Sequence, residues 1–217
     1  MIYSKRILSL ISVLMVVAGC FAAEPGDTLT ARRVFASAPL EVLDMLRPTT
    51  RLDMLDYYTQ ADSILNATDA LGGSSHIETM TDDYMRLAVS PVSTLEIKIL
   101  PFRKSQIAMT IYTVGSDSIA RDSQVRFYDS QLQPLPEDMF IRKPDVKSFF
   151  NLKNSDISAS DIVEWLPFQT MEYSTGPGQT PLTISLTTLR ILPNETREKL
   201  EKIVSPRTVV WNGSKFK

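Results

Sequence analysis

Apolar positions recur at helical spacing early in the chain and at a spacing of two later, and the change falls near Gly72-Gly73. Leu40, Leu43 and Leu46 mark a helix over Thr30 to Arg47, with Pro39 suited to a first turn and Pro48 ending the run. Thr50 and Asp53 have capping-box spacing ahead of a second helix in RLDMLDYYTQADSIL, whose apolar face carries Leu52, Leu55 and Tyr58. Past the glycines, STLEIKIL sets Leu95, Ile97 and Ile99 on one side and Glu96 and Lys98 on the other. IAMTIYTV places Ile107, Met109 and Ile111 together in the same way. With Tyr84 to Val89 and Gln124 to Asp129 these predict four strands, separated by Ser90-Pro91, Arg103-Lys104 and a loop at Gly115. Such short connections join antiparallel neighbours, so the pattern predicts a meander with one buried and one wetter face.

Proline and charge fill Pro134 to Pro144 and mark a boundary between halves. Asp145 to Phe150 reads as a short helix, and Ser158 with Asp161 opens another that Pro167 ends. PLTISLTT alternates, turning Leu182, Ile184 and Leu186 inward; Met171 to Tyr173 is its partner through the Gly176-Pro177-Gly178 loop. Asn194 caps a last helix with Glu195 and Glu198 early and Lys199 and Lys202 late, an order that suits the helix dipole. TVVW supplies the final strand. The expected class is α+β: N-terminal helices, a four-stranded antiparallel meander, then a second helix-helix-strand unit packed on it. The division is residues 30–133 and 134–217, forming one compact body.

The N-terminus changes the picture from fold to address. Lys5-Arg6 precedes an apolar stretch from Ile7 to Val17, too short for a bilayer, which needs about 20 apolar residues. Residues 1–19 therefore read as a signal peptide. Val17-Ala18-Gly19-Cys20 is similar to the lipobox of bacterial lipoproteins, where cleavage frees the Cys20 thiol for a diacylglyceryl chain. A second reading is ordinary cleavage after Ala22, with Cys20 and Ala22 as the small residues, and bulky Phe21 beside the cysteine counts against lipidation; a third is a retained N-terminal anchor. Residues 20–29 form a tether that lets the domain stand clear of the bilayer. The expected location is the cell envelope, as an anchored lipoprotein or, on the second reading, a soluble periplasmic protein. Cys20 is the only cysteine, so the exported body is held without disulfides.

Roughly 200 residues follow the signal, enough for one domain or two small ones. A formal charge of −2 over the whole chain lacks the basic footprint of a nucleic-acid binder, and no Lys/Arg run points to anionic lipid.

Candidate chemistry is sparse. His76 is the only histidine, in the loop-like LGGSSHIE, and no Gly-x-Ser-x-Gly elbow accompanies it. One histidine and one cysteine cannot build a zinc site. Asp82-Asp83 and the acids from Asp117 to Asp122 could suggest calcium or a carboxylate pair, but Asp117 to Asp122 lacks calcium-loop spacing and both groups read as solvated capping and turn residues. Gly176-Pro177-Gly178 lacks the lysine and Ser/Thr of a phosphate loop. No catalytic, cofactor-binding or metal-ligating residue is assigned. Tyr57, Tyr58, Trp165 and Trp211 are read as core aromatics that would grip a sugar or a protein only if exposed together.

APLEVLDMLRPTTRLDMLDYY, the following LGG, and RFYD in the meander resemble an exported family of Bacteroidales, domain of unknown function 3256. The resemblance runs from about Thr30 to the C-terminus, and TRLDMLDYY is its most specific part. It implies an envelope location and carries no catalytic residues with it. Envelope proteins of that order are often O-glycosylated at Asp-Ser/Thr-apolar triplets, which makes Thr28, Ser63 and Ser118 candidate sites. The expected function is non-enzymatic: binding or scaffolding of an envelope protein or glycan, with membrane contact through the lipid on Cys20. The alternative is an envelope hydrolase using carboxylates or a serine.

Overall fold

The computed structural model describes residues 28–39, 43–44, 46–60, 67–68, 73–116, 118–153 and 155–217. The predicted signal peptide, the predicted lipidation site Cys20 and the candidate glycosylation site Ser63 lie outside them.

Thr30 caps α1 (Ala31–Ser37), its hydroxyl accepting from the Arg33 N–H at 3.1 Å. The helix stops well before the predicted Arg47, because Ala38 precedes Pro39 and takes an extended conformation. Pro48, predicted to end a helix, instead begins α2 (Pro48–Gln60). Proline suits a first helical position, where its missing N–H costs nothing. Thr50 then sits inside α2 and is no cap. The buried side of α2 is Arg51, Met54 and Leu55, whereas Leu52 and Tyr58 are 52% and 39% exposed, so the predicted apolar stripe is rotated.

The meander is larger than predicted. β2 (Ser74–Met80), β3 (Tyr84–Ser90), β4 (Ser93–Phe102), β5 (Ser105–Val114), β6 (Asp122–Tyr128) and β7 (Pro134–Leu135) run as one continuous antiparallel sheet in sequence order, with β1 (Ala67–Thr68) added at the β2 edge. β2 escaped the pattern because SSHIETM buries only Ser75 and Ile77. His76 therefore lies inside a strand, paired with Ala88, and not in a loop.

Both faces of the sheet are covered. Leu95, Ile97 and Ile99 join Val34, Phe35, Leu46 and Met54 in a core under α1 and α2. Ile107, Met109 and Ile111 belong to a second core on the opposite face, with Phe127, Phe149, Ile162, Leu182 and Leu200. The register pairs Glu96 with Ile111 and Lys98 with Met109, so the two charges sit on this second buried face. No wetter face exists there because the C-terminal elements cover it.

Those elements are a turn of 3-10 helix at Val146–Phe149, α3 (Ala159–Trp165), β8 (Met171–Ser174), β9 (Leu182–Leu186), α4 (Asn194–Glu201) and β10 (Arg207–Val209). The three strands form their own antiparallel sheet, ordered β10-β9-β8. Ser158 and Asp161 make the predicted capping box on α3, and Glu195 bonds Lys199 on α4 at 2.7 Å. Pro193 rather than Asn194 occupies the cap of α4. The β8 edge is tied to β6 by side chains: Asp122 accepts from the Met171 N–H at 3.0 Å and Ser123 from the Tyr173 N–H at 3.0 Å.

Candidate functional site

At the end of the sheet where β4 turns into β5, a groove of about 570 Å³ opens. One wall is the sheet end, with Lys98, Ile99, Pro101 and Gln106. A second is the β8–β9 loop, through Thr175, Gly178, Gln179 and Thr180. The C-terminal tail closes the third side with Val210, Trp211 and Phe216, and Thr28 to Thr30 enter at the rim. The incoming segment is held where the Leu29 N–H donates to Gln106 Oε1 at 3.0 Å and the Ala31 N–H to the Asp82 carbonyl at 2.8 Å.

The loop wall is clasped by charge. Lys98 is 4% exposed, and its ammonium donates to Asp83 Oδ2 at 2.7 Å, the Gly176 carbonyl at 2.8 Å and the Gly178 carbonyl at 2.6 Å. All three of its donors are thereby satisfied. Asp83 Oδ2 also accepts from the Gly178 N–H at 2.8 Å, so aspartate and lysine between them hold both backbone polar groups of Gly178. Gly178 has φ +67, a conformation that L side chains rarely adopt, with nothing within 4 Å of an added Cβ.

Two residues before Lys98 on β4, Glu96 is 2% exposed. Its carboxylate accepts from the Thr175 N–H at 3.0 Å, the Tyr84 hydroxyl at 3.1 Å and Arg86 Nη1 at 2.8 Å. Arg86 in turn bonds Glu78 at 2.7 Å. Burial pushes the Glu96 carboxyl above its ordinary value against these stabilising bonds. Burial and the Glu96 charge push the Tyr84 hydroxyl up as well. For Asp83, burial alone would raise the carboxyl, but bonds from Lys98, Thr81 and Gly178 hold it below the usual carboxylate range.

These directions fix a pH dependence. Asp83 gives up its proton more readily in the folded protein, so its contribution is present above the ordinary carboxylate pKa and is lost as pH falls through the lowered value. Glu96 has the opposite sign: its raised pKa makes stability decline as pH rises between its unfolded and folded values. Urea denaturation from neutral pH into acid should show the acid loss in the wild type and a flatter acid limb in Asp83→Asn. Equal acid limbs would remove Asp83 from this role.

The residues singled out in the sequence are not gathered at the groove, apart from Trp211, Thr28 and the Gly176-Gly178 loop. Trp211 is half-buried; its indole N–H donates to the Pro101 carbonyl at 2.7 Å and its ring meets Phe216 edge-on, with centroids 5.1 Å apart. Trp165 packs against the core, while Tyr57 and Tyr58 are exposed on α2 at 38% and 39%. His76 Nδ1 is buried and has no hydrogen-bond partner among the described residues. Among the described residues no group of three or more His, Cys, Asp or Glu is placed to hold a metal ion. Thr28 and Ser118 lie on the surface, Thr28 at the groove rim and Ser118 in the β5–β6 loop. The clasp residues Glu96 and Lys98 were missed: their one signal was charge inside an apolar strand, and alternation assigns such residues to water. Asp83, read as a solvated turn residue, does sit in the β2–β3 turn but is bonded to Lys98.

Comparison with known proteins agrees with this fold. The model of a family described as "Protein of unknown function (DUF3256)" matches residues 27–216. A solved structure, of a domain of an uncharacterized protein from Porphyromonas gingivalis, superposes with a TM-score of 0.73 at 22% identity, covering 86% of this chain and 96% of that one. At that identity the likeness is one of fold. No curated protein matches the chain.

Proposed function

We propose that this chain, which belongs to the DUF3256 family, is an exported bacterial envelope protein, anchored by lipid at Cys20, that binds another envelope component without transforming it. The groove carries this reading. Its charged wall groups are engaged in holding the fold: Lys98 and Asp83 clasp the Gly176–Gly178 backbone, and the Trp211 N–H is bonded to Pro101. What they leave to an occupant is apolar and aromatic surface, edged by the Gln106 amide, Gln179 and Asp82. Such a lining suits holding a protein segment or a glycan. A hydrolase draws no support from it, because Asp83 is committed to Lys98 and Glu96 is not part of the lining. Among the described residues no helix is long and apolar enough to cross a membrane, so membrane attachment in this reading falls to the lipid.

The test is a photo-crosslinking residue at exposed Gln179, compared with one at Ile119, which is 60% exposed in the β5–β6 loop. In living cells the Gln179 probe should capture one defined envelope component that the Ile119 probe does not. Identical products from both, in proportion to cellular abundance, would contradict a specific groove.

A further inference from the structure

Basic residues that the sequence scatters are gathered by the fold around the point where the N-terminal segment enters. Thr28 shares the groove with Val210, Trp211 and Phe216 of the tail. The Arg103 N–H donates to the Gly213 carbonyl at 3.4 Å, which sets the Arg103-Lys104 turn against that tail. The Phe216 N–H donates to the Phe140 carbonyl at 2.8 Å, and beside it a shallow recess is lined by Met139, Arg142, Lys215 and Lys217. Arg103, Lys104, Arg142, Lys215 and Lys217 are all exposed. Of the acids in the groove and recess, Asp83 is neutralised by Lys98, leaving Asp82 and Asp138. Within this basic surround Val210 and Met139 are 54% and 52% exposed. Cations around exposed apolar side chains are the composition of an interfacial membrane contact.

We propose that this face seats on an anionic bilayer, its cations against lipid phosphates and Val210, Met139 and the Trp211 edge in the headgroup layer. The proposal rests on the anchored reading of Cys20. The eight residue steps from Cys20 to Thr28 span at most about 29 Å, so an acylated Cys20 holds the groove end within that distance of the lipid. The domain then lies on the membrane instead of standing clear of it, and the groove opens toward a membrane-borne occupant. Each basic residue near an anionic surface contributes roughly fivefold in affinity, so five gathered ones make a contact that no run in the sequence announces.

The experiment uses the intact protein purified from membranes, with Trp165→Phe so that Trp211 is the sole tryptophan. It is mixed with vesicles of phosphatidylethanolamine and phosphatidylglycerol whose acyl chains carry bromine, then floated. Trp211 fluorescence should be quenched, and Lys215→Glu with Lys217→Glu should relieve the quenching while protein still floats on its lipid. If the double reversal also ends flotation, the face stands and the anchor falls. Flotation with Trp211 unquenched overturns the face and leaves the anchor. Failure to float at all overturns both. The two reversed side chains are exposed and make no ion pair among the described residues, so the fold is not at stake.

Discussion

Lys98→Met should lower the melting temperature by roughly 6–12 °C, read by thermal unfolding of the purified protein. Methionine keeps the volume of the lysine stem but leaves the Gly176 and Gly178 carbonyls without their donor and Asp83 without its cation. Breaking a buried pair from one side costs about 3–5 kcal/mol. The Asp83 side chain is 39% exposed and regains water when its partner goes, which places the expected loss near the lower end, about 3 kcal/mol. For a chain of this length each kcal/mol moves the transition by roughly 2–4 °C. The loss should be local in its structural signature. Amide exchange should accelerate at Thr175 to Thr180 and leave β4 and β5 protected. A uniform acceleration would mean that the lysine supports the whole sheet and not the loop.

The second large effect belongs to Arg51, which is 0% exposed on α2. Its Nε donates to the Leu46 carbonyl at 2.8 Å, and its Nη1 to the Phe35 and Ala38 carbonyls, the former at 3.3 Å. Phe35 and Ala38 are at the C-terminal end of α1, where carbonyls lack intrahelical partners and a cation complements the helix dipole. Burial pulls the guanidinium pKa down, but it remains charged at neutral pH. Arg51→Met should cost about 3–5 kcal/mol, because buried carbonyls are left bare at the joint between two helices. Arg51→Lys should recover only part of it, since an ammonium cannot span the three acceptors with the guanidinium's fixed fork. Full recovery by lysine would reduce the residue to a generic charge.

Arg51 also shows where a sequence stops being readable. TRLDMLDYY presents leucines and tyrosines that invite an apolar stripe through Leu52 and Tyr58, yet the helix buries its arginine and exposes those two. A guanidinium is buried only where acceptors converge, and the acceptors come from α1 and the connection after it, so no pattern within α2 could reveal them. The alternating strands β3 to β6 and the β8–β9 hairpin were legible, because a spacing of two with short turns leaves few other arrangements. Glu96 and Lys98 were legible as one face and misread as solvated. Whether a polar face meets water depends on what the chain lays over it some 80 residues later. For the same reason the groove was invisible: it is assembled from Thr28, the sheet end, the β8–β9 loop and the tail, which share no local pattern. Trp211 was noticed, but its role in a groove wall needed Pro101 and Phe216 beside it.

We propose an anchored envelope protein that presents this groove beside its own attachment point. Cys20→Ala should leave the fold unchanged, since a sole cysteine can close no disulfide within the chain, while blocking acylation and partition into detergent. Two or three acyl chains, at about 0.8 kcal/mol per buried methylene, hold a protein on a bilayer far more firmly than one. The decisive measurement is the intact mass of the wild-type protein isolated from its native membranes. The expected mass is that of a chain that begins at Cys20 and carries a diacylglyceryl group with a further N-acyl chain. An unmodified chain beginning at Ala23 would contradict it and make this a protein released from the membrane.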